Sequence, residues 1–143
     1  MYKELIQTKN SKSILLIRIM VGIVFLSEGI QKFLFPAIRG VGRFEKIGLP
    51  FPETLGNLIG GLEIICGLLI LLGLMTRLGS FFTFMIMLTA LATTKLAILQ
   101  NDGFWVMMHA SRTDFAMLLG SLFLIINGGG LWSLDRVKTK KVS

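Results

Sequence analysis

The segment Leu55–Met75 reads LGNLIGGLEIICGLLILLGLM, and Glu63 is its only charged residue. At about 1.5 Å of rise per residue, about 20 apolar residues in a helix span about 30 Å, the thickness of the hydrocarbon core of a bilayer. Three further segments have the same apolar character, at residues 14–35, 78–99 and 115–132. We therefore predict an all-α integral membrane protein, a four-helix bundle forming a single domain over residues 1–143.

The composition of the whole chain agrees with a membrane protein. Of the 143 residues, 53% are hydrophobic and only 16% are charged, and the mean hydropathy is +0.75. The net charge of +7 would suit a nucleic-acid-binding protein, but the basic residues lie mainly in the tails and short loops beside the apolar segments. That distribution is a signal of membrane topology. We expect the lipid bilayer, and no nucleic acid, as a partner.

Lys and Arg residues outside the apolar segments are distributed unevenly. Eight lie in the two tails and at the turn around Arg77, whereas four lie in the loops 36–54 and 100–114. Because cytoplasmic segments are enriched in Lys and Arg, both termini are predicted to be cytoplasmic and the two loops external. The sequence thus predicts a multi-pass protein of the plasma membrane, most simply the bacterial cytoplasmic membrane.

Six charged residues lie toward the predicted outer side of the four segments: Glu28, Lys32, Glu63, Lys95, Arg112 and Asp114. Three are acidic and three are basic, so their charges can cancel by pairing, as buried charges usually do. Glu28 and Glu63 share a depth of about 10 to 12 Å from the outer ends of their helices. We predict that these six residues form a ligand-binding pocket centred on Glu63, which is paired with Lys32 or Lys95.

Some of these charged residues also have a purely structural interpretation. The long side chains of Lys32 and Lys95 could extend to the lipid headgroups, whereas the short side chain of Glu63 has no such route, which favours a functional role. Arg18 lies apart, near the cytoplasmic end of the first segment. It is predicted to form a structural ion pair with Asp135 at the foot of the fourth helix.

Small residues form a strip along the second segment. On a helical wheel Gly56, Gly60 and Gly67 share a face with Glu63. The Gly56-x-x-x-Gly60 spacing is typical of helices whose backbones approach closely in a membrane. These three glycines are therefore predicted to be structural contact positions.

Several kinds of chemistry lack the residues that they need. Cys66 is the only cysteine and His109 the only histidine, so we expect no disulfide relay, no bis-histidine haem and no metal site. No Walker motif, zinc-ligand spacing or serine-hydrolase order is present. The catalytic residues, if there are any, stay unknown at this point.

Sequence motifs that identify a family run through the chain in a fixed order. They are Arg18-x-x-x-Gly22, Gly29-x-x-Lys32, Gly48-Leu49-Pro50, Gly61-Leu62-Glu63, GLLILLGLxTR from Gly67 to Arg77, and Gly128-x-Gly130-x-x-Ser-Leu-Asp-Arg136. With this hydropathy profile, the chain resembles the DoxX family of membrane proteins from Arg18 to Arg136. The family is similar to the membrane subunit of thiosulfate:quinone oxidoreductase.

The resemblance implies a membrane component of a redox system, which would be an oxidoreductase subunit dependent on a partner if it is catalytic. A redox partner subunit or a homo-oligomer is the expected assembly. A quinone or a small polar substrate would then occupy the predicted pocket, with its protons exchanged by the acidic and basic side chains. Two other classes stay open. A scaffold or assembly factor would use the charges only for internal pairing, and a small-molecule carrier would need a polar route through the whole membrane.

Overall fold

The computed structural model describes residues 4 and 6–142 of the chain, with side chains described up to residue 139. Lys3 and Ser143 and the side chains of Lys140 and Lys141, which belong to the predicted cytoplasmic tails, lie outside the described residues. Within the described part of the chain the regular secondary structure is helical, with no β-strand.

The helices from residue 14 onward are α1 (Ile14–Leu34), α2 (Val41–Ile47), α3 (Pro52–Leu72), α4 (Thr76–Asp102), α5 (Phe104–Asn127) and α6 (Leu134–Val142). Three of them, α1, α3 and α4, are long and apolar enough to cross a membrane, judged by length and composition. Inside α4 the turn Leu91–Lys95 is a π-helix. Helix α1 packs along α3, and α4 packs along α5.

The predicted loop 100–114 is wrong, because the structure is helical there except at one residue. Gly103, with a φ of 87° and a ψ of 174°, separates α4 from α5, and this conformation favours glycine. Helix α5 therefore begins at Phe104, ahead of the predicted start at residue 115. The polar side chains between residues 104 and 115 lower the local hydropathy, which is why a loop was predicted there. In the structure they lie on a helix that packs against α4.

The second predicted segment is displaced toward the N-terminus, where it forms α3. Pro52 occupies the first turn of this helix, a position for which its fixed φ is well suited. The helix ends at Gly73, which has a left-handed conformation with a φ of 65°. The first predicted loop also contains the short helix α2, which packs on α3.

Glycines allow α1 and α3 to lie close together. A Cβ atom added at Gly67 would lie 2.7 Å from the backbone nitrogen of Leu26, and one added at Gly29 would lie 2.7 Å from the carbonyl oxygen of Gly60. Both distances are too short for a real carbon contact. The strip of small residues expected on α3 thus lies at the interface with α1, although Gly56 faces the start of α2 at Val41.

The predicted ion pair between Arg18 and Asp135 does not form. Arg18 donates instead to the carbonyl oxygens of Ile70 (2.8 Å), Leu71 (2.5 Å), Gly129 (3.1 Å) and Trp132 (2.5 Å). The carbonyls of Ile70 and Leu71 belong to the last turn of α3, where carbonyl groups lack the usual intrahelical partner four residues on. The carbonyl of Ile70 also accepts a hydrogen bond from the backbone nitrogen of Gly73 at 3.1 Å. The guanidinium is thus a cation at a helix C-terminus, the end that carries negative dipole charge.

Asp135 caps the next helix at its N-terminus. Its carboxylate accepts hydrogen bonds from the backbone nitrogens of Met75 (2.7 Å) and Thr76 (2.9 Å) and from the hydroxyl of Thr76 (2.8 Å). An acid in this position satisfies unpaired N–H groups and complements the helix dipole. Arg18 and Asp135 therefore stabilise the same turn between α3 and α4 from its two sides, because each binds backbone groups. We call this network the capped end.

Candidate functional site

A cavity of about 560 Å³ lies among helices α1 to α5, on the side away from the capped end. Its apolar wall includes side chains from the protein core, among them Phe25 and Met117. Its polar lining comes from seven charged and four hydroxyl side chains: Glu28, Lys32, Arg39, Arg43, Glu63, Lys95 and Asp114, with Thr89, Thr93, Thr94 and Thr113. The cavity therefore offers an apolar wall and a charged lining to one ligand.

Glu63 and Lys32 form the most buried ion pair that borders this cavity. The Lys32 Nζ atom lies 2.6 Å from Glu63 Oε2, and the two side chains are 10% and 3% exposed. Lys32 comes from α1 and Glu63 from α3, one turn from the close contact at Gly60. Of the two partners that the sequence left open for Glu63, the structure brings Lys32 to it.

Lys95 forms a second ion pair, which joins α4 to α5. Its Nζ atom lies 3.0 Å from Asp114 Oδ2 and donates to the carbonyl oxygen of Ala110 at 2.9 Å. Lys95 is the last residue of the π-helical turn, a feature that occurs frequently at functional sites. In and beside this turn the hydroxyls of Thr93 and Thr94 donate to the carbonyls of Thr89 and Ala90.

Glu28, Arg39 and Arg43 line the cavity without a close polar partner. Among the described residues, none forms a hydrogen bond or ion pair with any of these three charged groups. Glu28 is half-buried, and both arginines are exposed. These three groups are therefore available to a ligand, whereas Lys32, Glu63, Lys95 and Asp114 already neutralise one another in pairs.

Five of the six residues predicted for the pocket line this cavity, and Arg112 does not. Arg112 is exposed on α5 and donates to Nε2 of His109 at 2.8 Å. Three acids and four bases border the cavity, which leaves an excess of one positive charge.

Arg39 and Arg43 line the cavity but were not predicted from the sequence to belong to the pocket. They were counted only among the basic residues of the first loop, as evidence for the membrane topology. A signal for α2 was present, since Val41, Phe44 and Ile47 recur every three residues and give the short segment an apolar face. Such a helix folds back over the cavity and brings Arg43 to it. The π-helical turn had no comparable signal in the sequence.

The chemistry available in the cavity is proton exchange and charge recognition. Carboxylate and ammonium groups lie side by side, next to an apolar wall. Within the described residues, no group of three or more His, Cys, Asp or Glu side chains could hold a metal ion. The cavity thus combines an apolar wall with charged side chains that can take part in hydrogen bonds.

Comparison with known proteins places the chain in a family. The model of the DoxX family matches residues 13–96, more than half of the sequence. The chain belongs to the DoxX family. The match includes six of the seven charged cavity residues and ends before the seventh, Asp114. The single domain over residues 1–143 stays a prediction.

Two relatives have similar lengths. The chain is 46% identical over 148 aligned residues to "Uncharacterized membrane protein Rv3486" of Mycobacterium tuberculosis, covering 99% of this chain and 91% of the relative. It is 30% identical over 122 residues to "Putative oxidoreductase CatD" of Bacillus subtilis, covering 85% of this chain and 83% of the relative. No solved structure matches the chain.

Proposed function

We propose that this DoxX-family membrane protein is a component of a redox system and binds a quinone, or a small polar substrate, in the cavity. The observation that carries the proposal is the buried Lys32–Glu63 pair beside the unpaired carboxylate of Glu28, in a cavity with an apolar wall. Burying ionisable groups in a membrane span is costly, and such groups usually mark a site. The relative named as an oxidoreductase supports the same class of function.

A bound quinone would supply two-electron, two-proton redox chemistry, with the electrons exchanged through a partner subunit. Glu28 is the group best suited to hold and release a proton, because no described residue pairs with it. The ammonium of Lys32 can donate a hydrogen bond to a headgroup oxygen, while its hydrogen bond to Glu63 holds it in place. The apolar wall at Phe25 and Met117 would exclude water from the reacting ring.

We further propose that α1, α3, α4 and α5 cross the bacterial cytoplasmic membrane as a four-helix bundle with both termini in the cytoplasm. The distribution of Lys and Arg supports this orientation, and the packing of α5 along α4 supports a membrane position for α5. A reporter that is active only outside the cytoplasm should be silent after Ser143 and active when inserted at Gly48, where no atom lies within 4 Å of an added Cβ. The reverse pattern would contradict the orientation.

Quinone binding can be tested with the full-length protein purified in mild detergent. Decylubiquinone and menadione are titrated, and their affinities are measured by isothermal calorimetry for the parent and for Glu28→Gln and Glu63→Gln. Loss of one charge-assisted hydrogen bond should weaken binding by about tenfold. Glu53→Gln is the matched control, since Glu53 is exposed in the first turn of α3, outside the cavity.

Two results would oppose the proposal. If neither quinone binds the parent protein, the scaffold or assembly role gains support, and proteins that copurify in mild detergent should then be identified as partners. If both quinones bind equally well to Glu28→Gln, Glu63→Gln and Glu53→Gln, they bind outside the cavity. A carrier role would need an opening through the capped end, where Arg18 and Asp135 are buried and hydrogen-bonded.

A further inference from the structure

The capped end has a second surface, which faces away from the rest of the protein and carries exposed basic side chains. Lys9, Lys12 and Lys138 are exposed there. Backbone contacts bring their segments together: Lys9 N donates to the carbonyl of Asn127 at 3.0 Å, and the Thr139 hydroxyl donates to the carbonyl of Ile6 at 3.1 Å. The N-terminal segment, the end of α5 and helix α6 therefore form one continuous surface.

Positive charge on this surface exceeds the negative charge near it. Arg77 uses its guanidinium to bind the carbonyls of Gln7 (3.0 Å) and Ile126 (3.1 Å), which are neutral acceptors that leave its charge in place. Arg136 adds a further cation on α6. The acids nearby are Asp135, which is 1% exposed and already occupied in capping α4, and the exposed Glu4.

Apolar side chains lie exposed beside these cations. Trp132 is 60% exposed, and the Lys12 Nζ atom lies 5.6 Å from the centre of its ring. On α6 the exposed residues Leu134, Val137 and Lys138 share a face at a spacing of three and four residues. Tryptophan beside basic residues is typical of the boundary between headgroups and hydrocarbon, and an amphipathic helix lies flat at that boundary.

We propose that this surface, formed by Lys9, Lys12, Trp132, Leu134, Val137 and Lys138, binds the headgroups of anionic phospholipids. The exposed apolar side chains enter the outer part of the hydrocarbon while the ammonium groups contact lipid phosphates. The charge complementarity selects anionic over zwitterionic lipids, since each basic side chain near a charged bilayer surface adds to the attraction. The site is separate from the cavity, and the proposal holds whether or not a quinone binds there.

The experiment uses the full chain in nanodiscs of phosphatidylcholine with 30% phosphatidylglycerol (about one lipid in three, a typical anionic surface). The lipids that stay bound are counted by native mass spectrometry. The parent should retain phosphatidylglycerol several-fold in excess of the bulk ratio. In the double variant Lys12→Gln, Lys138→Gln, this enrichment should fall by about fivefold or more, and higher salt should lower it in the parent.

The matched control removes two cations from the other end of the molecule, with Lys46→Gln and Arg112→Gln. Both residues are exposed, and neither lines the cavity. In this control variant the enrichment of phosphatidylglycerol should stay at the parental value. Retention in proportion to the bulk lipid, or an equal loss in both double variants, would overturn the proposal. If the test variant fails to fold, the single variants Lys12→Gln and Lys138→Gln are each compared with Lys46→Gln, and an unchanged enrichment in both overturns it as well.

Discussion

The two ends of the molecule use buried charge in opposite ways. At the capped end, Arg18 and Asp135 are 2% and 1% exposed and bind backbone groups at the ends of α3 and α4. Around the cavity, Lys32 and Glu63 bind each other, and Glu28 has no close partner among the described residues. Charges that hydrogen-bond to helix ends stabilise the fold, whereas charges held between side chains beside a cavity can respond to a ligand.

The largest expected effect is at the capped end, with Arg18→Lys. Lysine keeps the positive charge but cannot reach four carbonyls from one planar group. Losing two or three charged hydrogen bonds should lower the free energy of unfolding by about 4 kcal/mol. Thermal unfolding in detergent measures this, with the exposed Arg112→Lys as the control. A parental melting temperature for Arg18→Lys would mean that charge alone suffices there.

Glu63→Gln should be the next most destabilising change, at about 3 kcal/mol, because it leaves the ammonium of Lys32 buried without its partner. The double variant with Lys32→Met should recover part of this loss, while the double variant with Lys95→Met should not. A double-mutant cycle on thermal stability measures both couplings. If Lys95 couples to Glu63 as strongly as Lys32 does, the ion pairs of the cavity are not the ones described above.

Gly67→Ala tests the close contact between α1 and α3, the two helices that run from the capped end to the cavity. The new Cβ would meet the backbone nitrogen of Leu26, which cannot rotate away, so we expect a loss of about 2 kcal/mol from overpacking. The matched control on the same helix is Gly61→Ala, since nothing lies within 4 Å of a Cβ at Gly61. This control should melt at or slightly above the parental temperature, because alanine favours a helix. Equal melting of the two variants would rule out tight packing of α1 on α3.

The smallest effect is expected for Asp114→Asn. Asp114 is 24% exposed, and Lys95 keeps its hydrogen bond to Ala110 when the ion pair is removed. Partly exposed pairs contribute little, so the loss should be about 0.5 to 1 kcal/mol. Asp102→Asn, an exposed acid at the end of α4, is the control. If Asp114→Asn lowered the free energy of unfolding as much as Glu63→Gln does, the result would contradict the greater exposure of the Lys95–Asp114 pair.

Several features of the site could be predicted from the sequence because they depend on spacing along single helices. The shared face of Gly60 and Gly67 on α3, and the positions of Glu28 and Lys32 one turn apart on α1, follow from helical geometry. The helical structure of residues 100–114 could not be predicted in this way. Its polar residues have the hydropathy of a loop, and only packing on α4 makes a helix of them, with Asp114 bound to Lys95.

The amino-acid sequence by itself determined that the chain enters a membrane and that Glu28, Lys32 and Glu63 lie toward the same end of their helices, because hydropathy and helical rise are local properties. The tertiary structure decided the partners. Arg18 and Asp135 have opposite charge and suitable positions along the chain, yet each binds backbone groups. The reason is that a buried helix end presents several unsatisfied groups at once, and which end lies beside which side chain depends on how helices distant in sequence pack.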